Sequence, residues 1–564
     1  MSLRTRMILL ALAVAPVVPR AAVAQDEALA QLPDSVALRV VAFYNSTRTI
    51  RLSGESVLPA GSTLSGPVAV LGGTMRVAGR IEGDLVVING DLELESGAAI
   101  AGSITVVGGS IAGESFAQVG GTVTLHREPL RFRHDAGALV YAPGALDPEL
   151  SAGREFGFGR TDLLIAARRD YNRVEGLPVS VGPRVRIGRS NPTLVEAFAI
   201  YRSSAGLRID PDQMGYAIRV EQFLGGGQTA RVGLRFQSDI TPIEGQGLTN
   251  RENSLSTFVL HRDFRDAYER EGWGAYVRLA RSGWPHDLTL EYRSERHRPV
   301  VSGSPWSLFD NADPWRPQPA IAEGTLRSVV ARLVYDSRNE VLDPANGWHA
   351  VVELEQGLGG RLRQPALREL EGDSIVVTEI DARERFTSAT IDIRRYVRIG
   401  PGSRLGVRVF AAGSVDGSAL PPQRQHAMGG EGQLPGYRLY EFDCGARRQS
   451  LDLRGTPSFP WYGCDRAALV SLEYQAAFPY LSRQAEALGR WLDIEHSVRW
   501  LVFFDAGRAW NEPDAAGIRR RGASDFAADA GVGVRLGGLG LYWAVPLSGS
   551  GQGLNFFVRL GRRL

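Results

Sequence analysis

The glycines spaced as Gly430-x-Gly432-x-x-x-Gly436, within GGEGQLPGYRLYEFDCG from Gly429 to Gly445, are where this sequence most invites a ligand. A glycine loop cradles a phosphate when a buried strand enters it and a helix leaves it, because backbone N–H groups and the helix dipole then point at the anion. Neither flank meets that requirement. The preceding GSALPPQRQ (Gly417–Gln425) is turn-rich, Pro435 interrupts the spacing, and the residues that follow are aromatic and charged without a helical period. The stretch reads as structural, and no cofactor is expected from it.

Catalysis would need a nucleophile beside a base, or ligands at metal spacing. The eight histidines stand scattered at 126, 134, 261, 286, 297, 349, 426 and 496, with no nucleophile elbow near them. No catalytic or metal-binding residues are therefore assigned, and the chain reads as not an enzyme. His261 is placed on a strand, facing a lumen. Cys444 and Cys464 are the only cysteines, and an exported pair in one loop most simply forms a disulfide.

Export is read from residues 1–24. Arg4 and Arg6 precede the apolar run Met7–Val18, and Ala22-Val23-Ala24 forms a small-residue cleavage site before Gln25. No later apolar run reaches the roughly 18 residues of a membrane-spanning helix, so the product is soluble or crosses as a β-barrel. The formal charge is +2, from 64 basic residues, all arginine, against 62 acidic ones. That balance argues against a nucleic-acid partner.

Two regions have different grammar. Residues 49–126 repeat loosely with a period of about 18, as in GPVAVLGGTMRVAGRIEG, DLVVINGDLELESGAAIAG and SITVVGGSIAGESFAQVGG. Val68, Leu85 and Ile104 begin equivalent turns of a β-solenoid, and about four turns fit. A linker rich in Arg, Pro and Gly, 127–172, leaves room for a short helix around Thr161–Arg169. From 173 to 564 strands alternate: ARVGLRFQ sets Val232, Leu234 and Phe236 on one face, and LTLEYRSE does the same with Leu288, Leu290 and Tyr292, while charges fill the opposite face. One such strand fits a soluble sandwich equally well. The count decides for an antiparallel transmembrane barrel of about sixteen strands, an even number with both ends on one side. Starts are expected near residues 174, 193, 215, 229, 255, 272, 286, 326, 347, 385, 403, 466, 498, 525, 539 and 553. Connections alternate short and long, apart from two even-side ones near 239–254 and 479–497.

Four motifs in this second region resemble those of the BamA/TamA-type outer-membrane assembly barrels, the bacterial surface antigen family. YDSRNEVLDPANGWH, with Asp336, Arg338, Pro344 and Gly347, resembles their hairpin between the eighth and ninth strands, and FFDAGRAW, with Asp505 and Gly507, their thirteenth-strand motif. The terminal FFVRLGRRL is similar to their C-terminal strand signal through Phe556, Val558, Leu560 and Gly561, although it ends in Leu564 rather than an aromatic. The opening glycine stretch matches the sixth external loop, which in that family folds back into the barrel. Its tip reads Leu434-Pro435-Gly436-Tyr437, with Pro435 where the family has arginine. The solenoid resembles the polymer-forming bactofilin type and stands where periplasmic peptide-binding repeats are usual.

The resemblance implies an outer-membrane barrel, its N-terminal domain periplasmic, that inserts, translocates or docks proteins or other envelope components. Its partners would be outer-membrane lipid and a client protein, and its working part the seam formed by the last strand, Gly553–Leu564. A second reading is an envelope anchor whose solenoid self-associates end to end. The glycine stretch is then a lumenal latch of Leu434, Gly436, Tyr437, Arg438, Asp505 and Gly507. In it Arg438 replaces the missing tip arginine on Asp505, Gly436 permits the turn, and Tyr437 packs on the wall; the alternative is a solvent-facing Arg438, with Asp505 paired to another lumenal arginine.

Overall fold

The structure is a computed structural model that describes Leu32 and most residues from Asp34 to Leu564. The longer undescribed stretches are 1–31, 142–149, 206–213, 445–449, 452–456, 479–497 and 512–525, so the expected export signal lies outside the described residues. The chain divides into two compact units, residues 1–147 with 339–344 and residues 148–338 with 345–564.

The first unit is built from parallel rungs. Ile50–Ser53, Val68–Val77, Leu85–Leu94, Ile104–Val107 and Val123–His126 pair in that order, one rung more than the repeat suggested. Val68, Leu85 and Ile104 stand in register and are fully buried, as their equivalence in the repeat requires. The glycine corners have a steric cause. A Cβ on Gly90 would lie 2.1 Å from the Gly73 oxygen, and one on Gly109 would lie 1.9 Å from the Gly90 oxygen, so close stacking admits no side chain there. Helix α1 (Asp34–Asn45) covers one flank, burying Ala37 and Val40 against Val86 and Ile88. Asn45 ties it down through both amide atoms, donating to Leu139 O at 2.7 Å and accepting from Leu139 N at 2.9 Å.

Among the described residues the second unit is built on a sheet of 17 strands, each antiparallel to its neighbours and in chain order. It begins with β1 (Leu150–Phe156), β2 (Gly159–Ala167), β3 (Pro178–Ile187), β4 (Thr193–Arg202), β5 (Gly215–Leu224), β6 (Ala230–Pro242), β7 (Ala267–Ala280), β8 (His286–Pro299) and β9 (Gly324–Asp336). It continues through β10 (Gly347–Leu362), β11 (Thr387–Gly400), β12 (Ser403–Ser414), β13 (Arg466–Ala477), β14 (Val498–Trp510), β15 (Ala527–Leu536), β16 (Leu539–Pro546) and β17 (Asn555–Leu560).

Burial is inverted relative to a water-soluble sheet. Leu234, Phe236, Leu288 and Leu290 are exposed, whereas Arg231, Glu291 and Glu295 on the opposite faces of the same strands are buried. Alternation with apolar residues outward and paired charges inward is what a bilayer demands of a barrel wall.

Two expectations are corrected. The strand expected near residue 255 is helix α2 (Asn250–Leu260), which opens with a capping box in which Thr249 accepts from Glu252 N and Glu252 accepts from Thr249 N. His261 therefore does not sit on a strand but caps α2 in a left-handed conformation, its ring stacked on Trp315. The second correction concerns the linker, where Leu150–Phe156 and Gly159–Ala167 are strands of the sheet and no helix occurs over Thr161–Ala167. One strand is lost and two are gained, so the described sheet has 17 strands, an odd number, rather than the expected even count of about sixteen, and FFDAGRAW lies on the thirteenth strand when counting starts at β2. The anomalous 239–254 connection also disappears, because the span between β6 and β7 is one long connection holding α2. The other exception, 479–497, lies outside the described residues.

Apart from the span after β13, which holds 479–497, the longer connections follow β4, β6, β8, β10, β12 and β14. If these are external, the substitution Ala312→Cys, after β8, is labelled by an impermeant maleimide on intact cells. Gly538→Cys, in the turn between β15 and β16, reacts only after permeabilisation, and the opposite pattern would reverse the orientation.

Candidate functional site

The connection between β12 and β13 begins with anchors to the strands around it. Gln423 donates to Ala322 O at 3.0 Å and accepts from Ala322 N at 3.0 Å, while Arg424 pairs with Glu355 at 2.8 Å and donates to Tyr268 Oη at 2.6 Å. Gly429 and Gly430 then turn the chain through positive φ, 119° and 90°, which a side chain would resist. Leu434, Gly436 and Tyr437 are buried by the time the chain reaches the tip.

The tip is seated on β15 and the last two strands. Gly436 N donates to Asp529 Oδ2 at 2.7 Å, and Tyr437 Oη donates to Ala528 O at 2.9 Å and to Ser548 O. Asn555 Nδ2 donates to Pro435 O at 2.6 Å, fastening the tip to β17. Tyr437 also meets Phe442 edge-on at 4.8 Å within an apolar cluster that includes Leu434, Met428 and Leu469. Nearby, burial pushes the Glu431 carboxyl above its ordinary value, with Arg559 and Arg262 only partly opposing it. Cys444 and Cys464 form the expected disulfide, spanning 20 residues with Cα atoms 4.9 Å apart. Closing a loop of that size contributes on the order of 3 kcal/mol by restricting the unfolded chain.

The expected latch residues gather here, with three changes. Gly436 does not supply a left-handed turn but close approach, because a Cβ there would meet Asp529 Cβ at 2.8 Å and Pro546 N at 2.9 Å. Gly507 leaves room for the loop in the same way, a Cβ on it meeting Met428 Cε at 2.6 Å. The third change is a correction. Arg438 is exposed, and its backbone N–H donates to Glu441 Oε2 at 2.8 Å, so it does not pair with Asp505. The partner of Asp505 is Arg563, whose Nη2 lies 2.5 Å from Asp505 Oδ2 and whose guanidinium sits 3.8 Å from the Phe503 ring centroid. Arg563 also reaches Glu473 at 3.4 Å.

A direct register pair explains the arrangement. Asp505 on β14 stands opposite Asp529 on β15, and both are fully buried. Two such carboxylates repel unless each finds donors, and here Arg563 serves one and the loop tip serves the other. Asp529 and Arg563 were missed in the sequence. Asp529 could have been found as a carboxylate at the lumenal parity of ADAGVGVRL, and Arg563 as a cation just beyond the last strand.

The terminal residues divide by the same parity. Phe556, Val558 and Leu560 face outward, Phe557 and Arg559 are buried, and after Gly561 the chain turns so that Leu564 is buried, 3.3 Å from a Cβ built on Gly406. Among the described residues no group of acidic, histidine or cysteine side chains has the arrangement of a metal site.

The sequence matches the family model of the Omp85 superfamily domain over residues 214–548. Among solved structures it is similar to BamA from Haemophilus ducreyi lacking POTRA domains 1–3, at 14% identity and a TM-score of 0.41, covering 72% of this chain and 71% of that one. It is also similar to CdiB from Escherichia coli, at 12% identity and a TM-score of 0.31, covering 77% and 67%. CdiB from Acinetobacter baumannii aligns at 10% identity and a TM-score of 0.30, over 71% and 59%. Comparison with curated proteins returns no match.

The ion pair is 4% and 0% exposed, so removing either partner strands a buried charge. Arg563→Ala and Asp505→Ala should each lower barrel stability by about 3 kcal/mol, and the double variant should lose less than the sum. Arg438→Ala should change it by less than about 0.5 kcal/mol. Heat-modifiable migration in detergent gels reads all four, and strictly additive losses would separate Asp505 from Arg563.

Proposed function

The chain belongs to the Omp85 superfamily, and from that premise we propose that it inserts or translocates proteins, or docks other envelope components, at the outer membrane. In this reading residues 1–24 are removed on export, the solenoid at 49–126 lies in the periplasm, and the barrel works by position and shape, with no covalent chemistry.

The observation that carries the reading is the end of the sheet. β17 has only six residues, against 13 in β14 and 16 in β10, and among the described residues it pairs with β16 alone. Backbone groups left unpaired in lipid cost several kcal/mol each, so a sheet that must open does so most cheaply where the fewest bonds are broken. A short terminal strand supplies that place. The Asp529–Gly436 and Asn555–Pro435 bonds tie the lumenal loop to the same region, so loop and edge would move together. Depleting the protein should lower a defined set of outer-membrane proteins relative to lipid and surface exopolymer. Change confined to lipid or exopolymer would reassign the cargo, and no change in any of the three would remove the proposal.

A second reading, a self-associating anchor, is favoured by the first solenoid rung. Ile50–Ser53 has a strand neighbour on one side only among the described residues, and an open rung is a template for another copy. Because Leu130, Leu139 and Tyr141 close the core against α1, the fragment to test is Gln25–Asp147 rather than the repeats alone. Dimers or filaments in sedimentation would support association through the rung, and a strictly monomeric fragment would exclude it.

A further inference from the structure

The last strand ends against the start of α2. In the α2 capping box Glu252 Oε2 accepts from Thr249 N at 2.8 Å, a role that needs one carboxylate oxygen. The same carboxylate takes three more donors from a strand 307 or 308 residues away. Arg559 Nε lies 2.5 Å from Oε1, Arg559 Nη2 lies 3.1 Å from Oε2, and the backbone N–H of Leu560 donates to Oε1 at 2.9 Å. Arg559 is 1% exposed and Glu252 7%. Burial by itself would raise the Glu252 carboxyl, but Arg559 and the Thr249 donors outweigh it and hold it below its ordinary value.

The Leu560 bond is the informative one. In an antiparallel pair only alternate residues exchange hydrogen bonds with a given neighbour, so an edge strand carries donors that its single neighbour does not use. Leu560 stands opposite Leu539 on β16, yet its N–H goes to a side chain of α2. A carboxylate thus occupies a donor that another strand would otherwise take. Arg559 Nη1 also donates to Glu431 O at 3.1 Å, so α2, the lumenal loop and β17 meet at one buried arginine.

We infer that α2 is a clasp on the terminal strand: while Glu252 holds Arg559 and the Leu560 N–H, the end of β17 is closed to pairing, and it becomes available when α2 withdraws. The consequence for a client rests on the role proposed above for β17, whereas the clasp itself is testable without one.

The experiment is hydrogen exchange on the full-length protein in lipid nanodiscs, read on the peptide covering 555–564 with a β14 peptide as control. Glu252→Gln keeps the shape of the side chain and removes its charge, so exchange at the terminal peptide should rise at least about tenfold while β14 stays unchanged. Equal exchange in variant and parent would overturn the clasp. A second variant covers failure of the first to fold. Thr249 Cγ2 lies 3.6 Å from a Cβ built on Gly561, so Thr249→Cys with Gly561→Cys should cross-link. Oxidised, the pair should exchange at least about tenfold more slowly at the terminal peptide than the same protein reduced. No cross-link, or equal exchange in the two forms, would also overturn it. Depletion that leaves the envelope unchanged would remove the proposed function and leave the clasp standing.

Discussion

In lipid no water can satisfy a backbone N–H or C=O, and the second unit depends on that constraint throughout. It forces the chain into strands paired side by side, turns apolar side chains outward and drives charge into the lumen. Leu234 and Phe236 are exposed while Arg231 is buried for this reason, which would be an error in a water-soluble fold. The constraint also makes the last strand special. β17 has one strand neighbour among the described residues, and at its end the Leu560 N–H and the Arg559 side chain draw on Glu252.

A lumen lined with ionised groups needs charge balance, and the arginine-rich composition serves it. Arg235 lies between Glu291 and Glu295, Arg408 pairs with Asp392, and Arg563 pairs with Asp505. Arginine suits these sites because its planar fork serves two acceptors and it stays charged when buried. The lumenal loop joins the same network. Its tip donates a backbone N–H to Asp529, so the loop is held by a carboxyl group the wall already carries rather than by an arginine of its own. Small residues at Gly436 and Gly507 bring the loop close enough for this to work.

The first unit solves a different problem. Its rungs are parallel, its core is a stack of aliphatic residues, and its corners are set by glycines whose neighbours leave no space for a Cβ. Here burial follows the usual order, with apolar residues inside, and α1 covers a flank that the rungs leave apolar.

The period-two alternation, the rung repeat and the disulfide were legible in the residues themselves, because each is a local pattern or the only pairing available. All but one of the expected strands occur. The exception, near residue 255, is a run of Leu, Thr, Phe and Val whose strand-like composition hid Thr249-x-x-Glu252, a helix start written about three turns before its end. The strands at Leu150–Phe156 and Gly159–Ala167 were hidden by arginine and glycine that read as linker. The latch was legible as a place but not as a set of contacts. Asp505 meets Arg563 across 58 positions, and Glu252 meets Arg559 across 307. Alternation tells which side chains face the lumen. Which of them meet depends on strand order, register and the path of the chain inside the barrel, and those come into being only when the sheet curls and brings distant strands around one interior.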